Sequence, residues 1–148
     1  MSPLKGVALG LIVAATTAFA STPRTFIDPR TNALNQNDPP FSGSVKVRDT
    51  LYISGQIGLG ADRKPPTDVA EEARLVMDAL RNQVVRGGMT MDDLVSVQVF
   101  CSDVKHFGAF NAVYRTYFTK EFPARAFLGS GSLLFGARFE VMGVAVKR

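Results

Sequence analysis

Residues 137–146 (ARFEVMGVAV) constrain the fold more than any other stretch. Phe139, Val141, Gly143 and Ala145 alternate with Arg138, Glu140, Met142, Val144 and Val146, and toward the end of the run both sets are apolar. Alternation with a period of two marks a strand. A strand that is apolar on both faces needs a neighbour on each edge and cover above and below, so it reads as central in a sheet.

The rest of the chain supplies the candidates for those neighbours. Residues 41–47 alternate loosely, 48–50 make a turn, and 51–57 (LYISGQI) form a second strand, so these two pair as a predicted hairpin. Gly55 inside this apolar run signals a bulge or a close approach by a ligand or another backbone. In residues 94–101, Val95, Val97 and Val99 share one face with Ser96 and Gln98 between them, which is again a strand.

Two helices are expected between these strands. Val69, Ala73, Val76, Leu80 and Val84 recur at helical spacing after a Thr67 or Asp68 cap, and Gly87-Gly88 ends the segment. Glu71, Glu72, Arg74, Asp78, Arg81 and Asn82 take the other side, which reads as a solvated face. From about Lys105 to Phe118 an aromatic stripe recurs at spacings of three and four, with Phe110, Tyr114 and Phe118 among its members. That pattern predicts core or interface packing, not a base-stacking platform.

The order is therefore two strands, helix, strand, helix, two strands, which predicts an α+β mixed sheet with both helices on one face. Two helices cover only one side, and strands this apolar do not face water fully, so oligomerisation is expected.

With 148 residues, 46% hydrophobic and 20% charged, the chain is sized for one domain. Its first twenty residues differ from the rest. Lys5 is their only charged side chain, residues 6–19 are apolar or small, and Ala18-Phe19-Ala20 has the small-x-small pattern of a leader peptidase site. The expectation is a signal peptide over 1–20 cleaved after Ala20, a periplasmic or secreted product, and no stable membrane insertion afterwards. Residues 21–40, polar and without periodicity, read as an extended lead-in to a domain over 41–148.

Loss of Lys5 with the leader takes the formal charge from +4 to +3. A balance this mild, without a Lys/Arg block, does not mark a nucleic-acid surface. Cys101, the single cysteine, has no intramolecular partner and closes an apolar run, so burial is expected. His106 is the only histidine and lacks the company that a metal site or catalytic triad requires.

The chemistry-bearing residues lie near the C-terminus. Residues 122–127 (FPARAF) and the segment around Glu140 are two successive strand-like stretches joined by the glycine-punctuated residues 129–136. A hairpin symmetric about Ser132 and Leu133 would make Arg125 and Glu140 directly opposed partners on one face. Arg125 offers a planar fork that holds a carboxylate through two parallel bonds. Glu140, once partly desolvated, suits acid-base work near neutrality. The same two residues also fit an exposed cross-strand ion pair worth about 0–1 kcal/mol.

From Pro40 onward the chain resembles the Rid family, the reactive intermediate deaminases also called the YjgF family. The resemblance is carried by Pro40-Phe41-Ser42 with Val45, by residues 51–57, and by residues 93–100. It continues through Phe110-Asn111-x-x-Tyr114-x-x-Tyr117-Phe118, Phe122-Pro123-Ala124-Arg125 and the closing residues 140–148. It implies a chorismate-mutase-like protomer assembled as a homotrimer, with a ligand cleft at each subunit interface. It also implies hydrolysis of an enamine or imine of a small amino acid to a 2-oxo acid and ammonia, with no metal and no organic cofactor.

In that resemblance Arg125 grips the substrate carboxylate and Glu140 handles the water or proton. Phe41, Ser54, Gly55, Asn111, Ala126 and Phe127 contact the substrate. Phe41 and Phe127 stand where well-studied members carry tyrosine and cysteine, so the cleft has lost a hydroxyl and a thiol and gained bulk. The second function class is a trimeric protein that binds a small carboxylate without turnover. Ribonuclease or holdase activity draws no support from the charge.

Overall fold

The computed structural model describes residues 21–28 and 39–148. The leader expected over 1–20, its cleavage point after Ala20 and most of the second half of the lead-in lie outside the described residues. Eight elements matter here: β1 (Arg24–Ile27), β2 (Ser44–Val47), β3 (Thr50–Ile57), α1 (Val69–Arg86), β4 (Leu94–Cys101), α2 (Phe107–Tyr114), β5 (Ala124–Gly129) and β6 (Phe139–Val146). The strands form one sheet in the order β1-β2-β3-β6-β4-β5. All neighbours are antiparallel except β4 and β5, which run parallel.

β6 takes the central place that its two apolar faces require. It pairs with β3 on one edge and β4 on the other. Phe139, Val141 and Ala145 are fully buried against the helices, together with Leu51, Val76, Leu80, Val97, Val99 and Phe110. Both helices lie on this one face, and they touch each other as well as the sheet. Asp68 caps α1 by accepting from the Ala70 N–H at 2.9 Å, and Gly87 closes its far end, as the sequence pattern predicts. Cys101 is fully buried, and burial pushes its thiol up from the ordinary value.

The expected hairpin between the segments of Arg125 and Glu140 does not form. β4 lies between β5 and β6, and its end bonds to both sides: Ser130 N–H donates to the Cys101 carbonyl, and Ser102 N–H donates to the Arg138 carbonyl, each at 2.9 Å. β6, apolar on both faces, gains more from a two-sided position than from pairing with β5, which has only one half-buried face and sits at the edge. The glycine-rich connection still turns, with Gly131, Phe135 and Gly136 at positive φ, but it carries the chain across β4 instead of folding back beside it.

Two further expectations change. Glu72, assigned to the solvated side of α1, is fully buried. Its carboxylate pairs with the Arg138 guanidinium at 2.5 Å and accepts from the backbone N–H groups of Arg138 at 2.5 Å and Phe139 at 3.3 Å. Arg138 also donates to the carbonyls of Pro66 and Thr67, so one ion pair ties the start of β6 to the loop before α1. The lead-in, in turn, contains β1, a four-residue edge strand. Asp28 at its end accepts from Gln83 Nε2 at 2.9 Å and pairs with Arg86 at 2.5 Å, which fastens the strand to α1.

The face of the sheet away from the helices is open. Phe26, Tyr52, Leu128, Met142 and Val146 are exposed large hydrophobic side chains. Val45 and Tyr52 are register partners, as are Tyr52 and Val144, so the apolar side chains cross this face in a row.

Candidate functional site

The register separates the two charged residues completely. Arg125 is aligned with Val97, Val97 with Gly143 and Gly143 with Ile53. Val97 is fully buried and Gly143 packs near Leu80 of α1, so this row belongs to the helix-covered face. Glu140 is aligned with Phe100 and lies between Phe139 and Val141, both fully buried, so it projects from the open face. Two strand spacings, roughly 10 Å, also lie between β5 and β6. Within one chain Arg125 and Glu140 do not meet, and the cross-strand ion pair is absent.

Arg125 sits at the edge of the helix-covered face in a cleft of about 430 Å³ lined by Phe107, Asn111, Tyr114, Arg115, Phe122, Pro123 and Arg125 itself. Its guanidinium carbon is 4.5 Å from the Tyr114 ring centre, 5.8 Å from Phe107 and 5.9 Å from Phe127. No described residue gives Arg125 a hydrogen bond or ion pair. Phe107 and Phe122 are 45% and 52% exposed and form the open walls. Tyr114 is deeply buried, its hydroxyl has no hydrogen-bond partner among the described residues, and burial pushes its ionisation up to about 12 against the opposing pull of the Arg125 charge.

Glu140 is positioned by a different device. The pairing of β3 with β6 shifts register between Ile53 and Gln56, which makes a bulge around Ser54 and Gly55. The Glu140 carboxylate lies over Gly55, where an added methyl group would overlap it. The glycine therefore marks both the bulge and the close approach that its place in the sequence predicts, and the approaching group is a side chain of the same subunit. Glu140 has neither an ion pair nor a hydrogen-bond donor among the described residues.

The remaining candidates divide between the two places. Asn111, one turn before Tyr114 on α2, lines the Arg125 cleft. Phe127 is not part of the cleft lining but packs edge-on behind its wall residue Phe107, with ring centres 5.0 Å apart. Ala126, between Arg125 and Phe127 on β5, takes the opposite face and is exposed. Ser54 donates to the Ser42 carbonyl at 2.7 Å, and Ser54 N–H donates to Gly43, so the bulge next to Glu140 is tied to the segment that begins with the exposed Phe41.

Phe107, Tyr114, Arg115, Phe122 and Pro123 are cleft residues that sequence reading left in the core or unassigned. Their signal was spacing: Phe107, Asn111 and Tyr114 fall at intervals of four and three, so the candidate Asn111 shares its helix face with both rings. Among the described residues, no group of three or more His, Cys, Asp or Glu side chains is placed to hold a metal ion.

The arrangement supplies a cation with free donors in an aromatic cleft and, elsewhere, an unpaired carboxylate on a glycine floor. Known proteins carry the same framework. The family model described as Endoribonuclease L-PSP matches residues 31–147. The 2-iminobutanoate/2-iminopropanoate deaminase of Mus musculus is 36% identical over 110 residues, covering 73% of this chain and 82% of that protein.

Among solved structures, the YjgF gene product of E. coli superposes with a TM-score of 0.70 at 31% identity, covering 74% of this chain and 89% of that one. E. coli TdcF, solved with bound serine, has a TM-score of 0.71 at 26% identity, covering 75% and 91%.

Proposed function

Because the chain belongs to the YjgF/Rid (Ribonuc_L-PSP) family, we propose that it is an enamine/imine deaminase that hydrolyses a small imino acid to a 2-oxo acid and ammonia. The observation that carries this reading is shared by Arg125 and Glu140: neither has an ion-pair or hydrogen-bond partner among the described residues, and they occupy opposite faces of one sheet. A site that uses both takes Arg125 from one copy and Glu140 from another. A homotrimer with its open sheet faces inward provides such sites and covers the apolar row through Tyr52 and Val144.

The chemistry asks little of the protein. Arg125 holds the substrate carboxylate through two parallel bonds and fixes the adjacent C=N group. Water adds to the imine carbon as Glu140 accepts its proton and passes it to the nitrogen, which gives the carbinolamine. Glu140 then takes the carbinolamine hydroxyl proton and delivers it to the nitrogen as the C–N bond breaks, so ammonia leaves and the hydroxyl oxygen becomes the 2-oxo group. An enamine enters the same route after protonation at carbon.

The test is turnover of freshly generated 2-iminopropanoate by wild-type, Arg125→Ala and Glu140→Gln proteins. Wild-type turnover no faster than that of both variants would reject the enzyme reading. Phe41 and Phe127, which bring no hydroxyl or thiol to the site, favour a second reading, a trimeric binding protein for a small carboxylate. Pyruvate binding that is lost only in Arg125→Ala, with no turnover in any protein, would select it.

Export is a separate part of the proposal and rests on the leader pattern of residues 1–20. N-terminal sequencing of the native protein is expected to begin at Ser21, and an intact Met1 on the soluble protein would contradict it.

A further inference from the structure

We propose that Tyr114, Phe107 and Phe127 are positioning residues for Arg125, their rings forming a cage that orients the guanidinium while leaving its N–H donors free for a ligand carboxylate. The inference rests on the reading of Arg125 as the carboxylate grip and explains how an edge-strand arginine is held ready for that task. An unrestrained arginine samples many rotamers, and ordering it on binding costs affinity. Proteins commonly fix such a side chain with an acid, as this one does at Arg138, but an acid occupies the donors a ligand needs.

Aromatic faces attract a cation without occupying its donors. Three rings stand 4.5 to 5.9 Å from the Arg125 guanidinium carbon, and no described acid competes for it. The rings are themselves braced. Phe127 stands edge-on to Phe107 at 5.0 Å and to Phe110 at 5.6 Å, and Phe118 supports Tyr114 at 4.8 Å. Phe110, fully buried, lies 4.9 Å from Phe139 of the central strand, which connects the cage to the rigid core.

The Tyr114 hydroxyl has no hydrogen-bond partner among the described residues, and what this residue presents to the Arg125 guanidinium is its ring. That separates Tyr114→Leu, which removes the ring, from Tyr114→Phe, which restores it.

The experiment is titration calorimetry with pyruvate, a simple 2-oxo carboxylate, on the assembled protein, alongside kcat and KM for 2-iminopropanoate. Tyr114→Leu is expected to weaken pyruvate binding and raise KM by about tenfold, with a smaller fall in kcat, because the grip is loosened while Glu140 is untouched. Tyr114→Phe is expected to rescue both. Phe127→Leu reads the same cage from β5 if Tyr114→Leu does not fold, and a loss of binding in the same direction is expected.

Unchanged pyruvate affinity in the folded ring-deleted variants would overturn the proposal, as would a Tyr114→Phe defect as large as that of Tyr114→Leu. The titration decides the cage whether or not imino acids are turned over, so failure of the deaminase reading alone shows as intact binding without catalysis. Pyruvate affinity unaffected by Arg125→Ala would remove the grip and the cage together.

Discussion

Two of the arginine–glutamate combinations among the described residues are treated in opposite ways. Glu72 and Arg138 meet in the interior, where the carboxylate takes one guanidinium and two backbone N–H groups and the guanidinium also donates to two loop carbonyls. Arg125 and Glu140 stand on opposite faces of the sheet, one among rings and the other over a glycine, with no ion-pair or hydrogen-bond partner among the described residues. In the first pair the charges are consumed by the fold. In the second they are left available, and that difference separates a structural ion pair from two halves of a binding site.

Removing a partner from the internal pair is the largest way to sharpen the contrast. Glu72→Ala strands the partly buried Arg138 charge and two backbone donors, and is expected to cost about 3–5 kcal/mol of stability in chemical denaturation. A loss below 1 kcal/mol would place the pair with ordinary surface salt bridges. The next effect comes from Gly55→Ala. The added methyl must displace the flexible end of Glu140 and not backbone, so the fold survives while the carboxylate moves. Turnover is expected to fall by about a hundredfold, the scale of an ångström-sized misplacement, and unchanged kcat would show that Glu140 does not act from this position.

The smallest effect is on the stability of the open pair. Glu140→Gln is expected to change unfolding free energy by no more than about 0.5 kcal/mol, and Arg125→Ala, which gives up its ring contacts, by about 1 kcal/mol, each measured at the protomer's own unfolding step. A loss approaching that of Glu72→Ala would mean that these residues, too, serve the fold.

The same contrast explains what could be read from the chain. The central place of β6 was legible because its two faces are apolar within ten consecutive residues, and α1 was legible because its cap, apolar spacing and terminal glycines are local signals. Gly55 announced its bulge for the same reason. The pairing of β5 was not legible: periodicity identifies a strand but not its neighbour, and a glycine-rich connection suits a crossover as well as a hairpin. The burial of Glu72 was hidden because a carboxylate on a polar stripe is tolerable inside only with its partner, and Arg138 is 66 residues away. β1 offers only four residues and depends on the edge of β2 and on Asp28 reaching α1. At the candidate site, residue types suggested Arg125 and Glu140, but their separation to opposite faces depended on the sheet order.

The account stands on Arg125 and Glu140 acting from different copies of the chain. Arg125→Ala and Glu140→Gln proteins, each inactive alone, should be unfolded, mixed in equal amounts and refolded together, and turnover of 2-iminopropanoate measured. Random assembly of a ring in which each site draws one residue from each of two neighbours restores about a quarter of the wild-type activity. Activity that remains at the level of the separate variants, in a mixture shown to contain mixed oligomers, would contradict the account.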